Sequence, residues 1–205
     1  MSTTAFLDLV NYRDRVRAAV ATLELATSIS SRPIVSTKFS GRSAVLLHLV
    51  GEVAPGTPVV WIDTGYNTRA TRHFAETVSE RLSLDLRVFE PLDHTLRVPP
   101  GLDEPDHPAF VETVKLEPFR RALETLGADA WISSVRHEQT AHRATLEPFA
   151  AGPPGVVKVS PLLGWRAADL ERYAHEHELP IGPDCYDPTK GEPMRECGLH
   201  TRLSA

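Results

Sequence analysis

Pro58-Val59-Val60-Trp61-Ile62-Asp63-Thr64-Gly65 is the stretch whose reading decides the fold. Four consecutive apolar residues, mostly β-branched, stand between a proline and a turn-forming Asp-Thr-Gly, which is the pattern of a short buried strand. On its C-terminal side the spacing predicts a helix over 68–81 and a strand over 85–89. On its N-terminal side Pro55-Gly56 closes a helix over 44–53 that carries Leu46, Leu47 and Leu49. That helix opens from the turn Phe39-Ser40-Gly41-Arg42-Ser43, which itself follows a strand at Ile34-Val35-Ser36-Thr37. Ahead of Pro33, residues 5–30 place Phe6, Leu9, Val16, Val20 and Leu23 at mixed three- and four-residue spacing, so a helix is expected there.

Further along, residues 91–108 hold five prolines, and the stretch is too long for an ordinary connection, so it reads as a functional or mobile loop. A helix over 111–126 stops at Gly127, strands follow at 130–135 and 156–159, and a last helix covers 166–178. Five strands separated by helices predict an α/β fold: an open, mostly parallel five-stranded sheet with helices on both faces. The 205 residues make one domain, with an N-terminal helical segment (1–30) and a turn-rich tail (180–205) that ligand or the body of the domain must hold.

In such sheets ligands bind beyond the carboxyl ends of the strands, where strand order reverses. Three polar segments fall at those ends. The turn Ser36-Thr37-Lys38-Phe39-Ser40-Gly41 offers backbone N–H groups to a phosphate or sulfate, although it lacks the Walker A pattern. Asp63-Thr64-Gly65 offers a carboxylate to a ribose or adenine, or else an N-cap. Arg136, His137, His142 and Arg143 put four cationic or titratable groups within eight residues. The net charge of −5 opposes broad binding to nucleic acid or anionic membrane, so positive charge gathered locally is informative. No apolar run approaches membrane-spanning length, and the first residues lack the basic start and apolar stretch of a signal peptide. Two cysteines do not make a disulfide scaffold, so the expected compartment is the reducing cytoplasm.

The tail carries the sharpest chemistry. In Arg195-Glu196-Cys197-Gly198-Leu199-His200 a cysteine has an arginine two residues before it and a histidine three residues after it. Neighbouring cations lower a thiol's pKa, and only the thiolate is a good nucleophile.

Taken in order, these segments, with Lys115-Leu116-Glu117-Pro118 and Lys158-Val159-Ser160-Pro161-Leu162 between them, resemble the phosphoadenylylsulfate (PAPS) reductase family, within the adenine-nucleotide α-hydrolase-like fold. The resemblance implies thiol-dependent reduction of 3′-phosphoadenylyl sulfate to sulfite and adenosine 3′,5′-bisphosphate through an S-sulfocysteine on Cys197, with His200 beside the transferring group. It further implies that Ser36, Thr37, Ser40, Gly41, Asp63, Thr64 and Gly65 form the nucleotide loops and that Lys115 meets the substrate. Arg136 and Arg143 are further phosphate or sulfate contacts on this view. The segment between Tyr186 and Cys197 is shorter than the family's, so Lys190 and Arg195 would replace its arginine contacts.

One branch of the family holds a [4Fe–4S] cluster on four thiolates. Two cysteines cannot supply it, which places the chain in the cluster-free branch with no tightly bound cofactor and thioredoxin or glutaredoxin as reductant. A homodimer is left open. Two alternatives stay open beside this reading. One is an ATP-using adenylyl-transfer or pyrophosphatase-type enzyme of the same fold, against which Ser40-Gly41-Arg42-Ser43 lacks the second glycine and the aspartate of the usual loop. The other is a non-catalytic nucleotide-binding module.

Overall fold

The computed structural model describes residues 3–93, 98–184 and 186–190. The chain runs α1 (Thr3–Ile29), β1 (Pro33–Thr37), α2 (Ser43–Val53), β2 (Val59–Ile62), α3 (Arg69–Arg81) and β3 (Leu86–Phe89). It continues with α4 (His107–Val111), a π-helical turn (Glu112–Leu116), α5 (Glu117–Leu126), β4 (Ala130–Ile132), β5 (Phe149–Ala151), β6 (Val157–Val159) and α6 (Ala167–Glu176).

The strands form one six-stranded sheet in the order β3-β2-β1-β4-β6-β5. All neighbours are parallel except the edge pair β5–β6, which is antiparallel. The expectation of five strands is therefore short by one. β5 is three residues long and flanked by Pro148 and Gly152-Pro153, too brief to show a period of two in the sequence.

Alternation along the parallel strands sends side chains to two separate cores. Val35, Val59, Trp61 and Ile132 face the layer of α1, α2, α3 and α6, whereas Ile34, Val60 and Trp131 face α5 and the turn before it. Helices thus cover both faces, as expected. The stripe Tyr12, Ala19, Leu23 and Ala26 seats α1 against the first of these cores. Arg15 on α1 grips the buried Asp169 of α6 with two hydrogen bonds, at 2.8 and 2.6 Å, while Asp169 also accepts the Arg166 N–H at 2.7 Å. One carboxylate therefore starts α6 and fastens it to α1. No helix among the described residues is long and apolar enough to cross a membrane.

Candidate active-site cleft

Strand order reverses at β1: the chain steps outward through β2 and β3, then returns to place β4 on β1's other side. Beyond the carboxyl ends of β1 and β4 lies a cleft of about 970 Å³, counting its open mouth. A crevice at this place is what open α/β sheets provide for ligands. Ser36, Thr37 and Lys38 reach it from β1, Ser133 and Ser134 from β4, and Thr64 and Asn67 from the turn after β2.

The β1–α2 turn has an unusual backbone. Phe39 has φ of 49° and Gly41 has φ of 46°, a left-handed region that costs a non-glycine residue free energy. Phe39 is held there by complete burial and an edge-on contact with Trp61, ring centroids 5.3 Å apart. Its N–H donates to Thr37 Oγ1 at 3.2 Å. Ser40 and Gly41 do not line the cleft. Gly41 instead pairs with the segment that leads to the tail: its N–H donates to Pro183 O at 3.0 Å and its carbonyl accepts from Gly182 N–H at 2.7 Å. The body of the domain thus holds the start of the tail.

Asp63 is 5% exposed and spends its carboxylate on its own turn. It accepts from Gly65 N–H at 3.0 Å and Asn67 Nδ2 at 2.8 Å, and Arg72 Nη2 lies 3.3 Å from it. Asp63 and Gly65 therefore shape the loop, while Thr64 and Asn67 face the cleft.

The basic groups divide. Arg143 and Lys190 line the cleft with Lys38 and Lys115, so four cationic side chains converge in a chain of net charge −5. Arg136 does not line it; its guanidinium pairs with Glu138 at 2.9 Å. Gln139 Oε1 accepts the Arg136 N–H at 3.0 Å and also a hydrogen bond from Arg143 Nη1, which orients that buried guanidinium. Lys115 sits in the π-helical turn, where one extra residue re-aims a side chain within a continuing helix. Its ammonium is buried and donates to Asp187 Oδ2 at 2.5 Å and Thr189 Oγ1 at 3.2 Å.

Sequence reading did not single out Asn67, Ser133, Ser134, Gln139, Tyr186 or Asp187, all of which border the cleft. Ser133-Ser134 at the end of a buried strand was a usable signal. Trp131 was not: its Nε1 donates to Ser36 Oγ at 2.7 Å across neighbouring strands, a contact that only register creates. The described part of the 91–108 segment contributes nothing to the cleft lining. Arg195, Cys197 and His200 lie outside the described residues.

The phosphoadenosine phosphosulfate reductase domain model matches residues 32–184. A phosphoadenosine 5′-phosphosulfate reductase of Synechococcus sp. is 38% identical over 165 residues, covering 77% of this chain and 71% of the relative. That of Photobacterium profundum is 34% identical, covering 96% of this chain and 86% of the relative. Among solved structures, the phosphoadenylyl-sulfate reductase of Candida auris in a phosphate complex superposes with a TM-score of 0.69 at 21% identity, over 80% of this chain and 82% of that one. The FMN adenylyltransferase of Candida glabrata in complex with ATP superposes at 0.64 with 20% identity, over 84% of this chain and 57% of that one. At such identities the superpositions show a shared fold.

Proposed function

The chain belongs to the phosphoadenosine phosphosulfate reductase family, an oxidoreductase family of sulfate assimilation, and from that premise we propose how its own residues carry the reaction. 3′-Phosphoadenylyl sulfate lies in the cleft with its anionic groups toward Lys115, Arg143, Lys38 and Lys190. The Cys197 thiolate attacks the sulfur of the sulfate group, the S–O bond to the nucleotide phosphate breaks, and adenosine 3′,5′-bisphosphate leaves. Cys197 then carries –SO₃⁻. A thiolate of thioredoxin or glutaredoxin attacks the Cys197 sulfur and expels sulfite. Its second thiol resolves the mixed disulfide, so the carrier dithiol is oxidised and Cys197 is restored.

The observation that supports this most is the buried ammonium of Lys115 at the strand-order reversal. A thiolate approaching sulfur ringed by anionic oxygens is repelled unless fixed cations neutralise them, and such preorganised charge is worth most where water is excluded. His200 is assigned to the transferring group beside Cys197. Asp63 acts through the loop it orders, and Ser36, its oxygen already accepting from Trp131, keeps its own proton to donate into the cleft.

With two cysteines, the chain lacks the four thiolates of an iron–sulfur cluster, which supports direct use of a carrier dithiol in a reducing cytoplasm. Supplying 3′-phosphoadenylyl sulfate and reduced thioredoxin to wild type and Cys197→Ser, and quantifying sulfite, tests the proposal. Wild type is expected to release sulfite and the variant none above background; equal sulfite from both would eliminate the mechanism.

A further inference from the structure

The substrate cation of the proposed reaction is already engaged by a carboxylate of its own chain. Lys115 and Asp187 are each only 10% exposed at the side chain, with Nζ and Oδ2 2.5 Å apart. Asp187 is built into this position. Asp187-Pro188-Thr189-Lys190 closes a turn in which the Lys190 N–H donates to the Asp187 carbonyl at 3.1 Å, with proline where its fixed φ suits such a turn. The Thr189 N–H and hydroxyl both donate to Asp187 Oδ1, at 3.1 and 2.6 Å. One carboxylate oxygen therefore orders the turn and the other is committed to Lys115. Burial alone would raise the Asp187 carboxyl, but the charge of Lys115 and the hydrogen bonds from Lys115 and Thr189 outweigh it and hold it below the usual range.

We infer that Asp187 is an internal stand-in for an anionic oxygen of the substrate, displaced from Lys115 when the nucleotide binds, and that it thereby sets the affinity of the cleft. The inference rests on Lys115 binding substrate as proposed above. A buried ammonium needs a counter-charge, and Asp187 supplies it. An incoming sulfate or phosphate oxygen supplies the same charge, and two anions crowded on one desolvated cation repel each other. The apparent affinity is then lowered by the fraction of molecules in which Asp187 holds the site. The turn that carries Asp187 also carries Lys190 into the cleft, and Cys197 follows Lys190 by seven residues. Exchange at Lys115 therefore couples occupancy of the cleft to the segment from which the nucleophile's stretch of chain departs.

The test is calorimetric titration of 3′-phosphoadenylyl sulfate into Cys197→Ser protein, where the ligand is not consumed. Adding Asp187→Asn is expected to tighten binding roughly tenfold, and adding Thr189→Val to tighten it by a smaller factor. In a Lys115→Met background the effect of Asp187→Asn should vanish. Unchanged or weaker binding in Asp187→Asn overturns the inference; should that variant not fold, unchanged or weaker binding in Thr189→Val does so. Absence of any binding to the Cys197→Ser parent, together with no sulfite from wild type, sinks the reductase mechanism itself. Binding by the parent without tightening in the variants sinks only the stand-in.

Discussion

Phe39 shows how much one side chain does for the cleft. It occupies left-handed backbone in the middle of the β1–α2 turn, and its fully buried ring against Trp61 is what keeps it there. Phe39→Ala is expected to cost about 3–5 kcal/mol, read by urea unfolding, and to raise KM because Thr37 and Lys38 lose their support. Lys115 tests the cleft's charge directly. Lys115→Met keeps much of the side-chain volume but removes the ammonium, and sulfite release should fall by at least about a hundredfold, in line with the loss of one preorganised group at a transition state. A fall of less than about threefold would show that Lys115 does not meet the substrate. Lys115 and Asp63 were partly legible in the sequence, whereas the left-handed backbone of Phe39 was not. The resemblance marked Lys115 as a substrate contact, but its inward direction depends on the π-helical turn, which leaves no trace in hydrophobic periodicity. Asp63 was visible as a candidate, yet its commitment to Gly65 and Asn67 emerged only from the folded turn.

Among the elements, the joint between α1 and the sheet is the clearest case of charge holding secondary structure together. Asp129, just before β4, accepts from the Ser31 N–H, the Ser31 hydroxyl and the Arg32 N–H, each at 2.9 Å, and also from the Ser30 hydroxyl. Burial works to raise its carboxyl, and these donors outweigh it, leaving the group well below the ordinary carboxylate range. A carboxyl lowered on folding stabilises above its unfolded pKa, and that contribution is lost as pH falls toward the folded value. Asp129→Asn should therefore lower stability by about 1.5–3 kcal/mol at neutral pH, with the gap to wild type narrowing from about pH 5 downward. Thermal melts at pH 7 and pH 3 check this; a gap that widens in acid would contradict it. The five parallel strands and helices α1, α2, α3, α5 and α6 were readable from apolar spacing, whereas α4 starts at His107, inside the proline-rich stretch read as a loop over 91–108. The antiparallel β5 was not readable either, since three residues between prolines hold no period.

For the molecule as a whole, what matters is how the last part of the chain is brought back to the switch point. Gly182 and Pro183 pair with Gly41, and Asp187 and Thr189 pair with Lys115, so the segment before the tail is fastened at two places around the cleft. Gly182 has no room for a side chain: a Cβ there would lie 2.5 Å from Phe74 Cε1 on α3. Gly182→Val should displace this segment, reducing kcat for sulfite release by at least about tenfold while costing about 1–3 kcal/mol of stability from overpacking. An unchanged kcat in a folded variant would show that the fastening is dispensable. The sequence announced a turn-rich tail needing support, but not which groups supply it, because Gly41 and Lys115 are 141 and 72 or more residues away in the chain. The proposed mechanism requires a covalent sulfur–sulfur bond at Cys197. Intact-protein mass spectrometry after incubation with 3′-phosphoadenylyl sulfate, with no reductant present, reads that bond directly. One added SO₃ group, localised to Cys197 and removed by reduced thioredoxin with release of sulfite, is the predicted result; unmodified Cys197 in a preparation that releases sulfite once thioredoxin is supplied would contradict it.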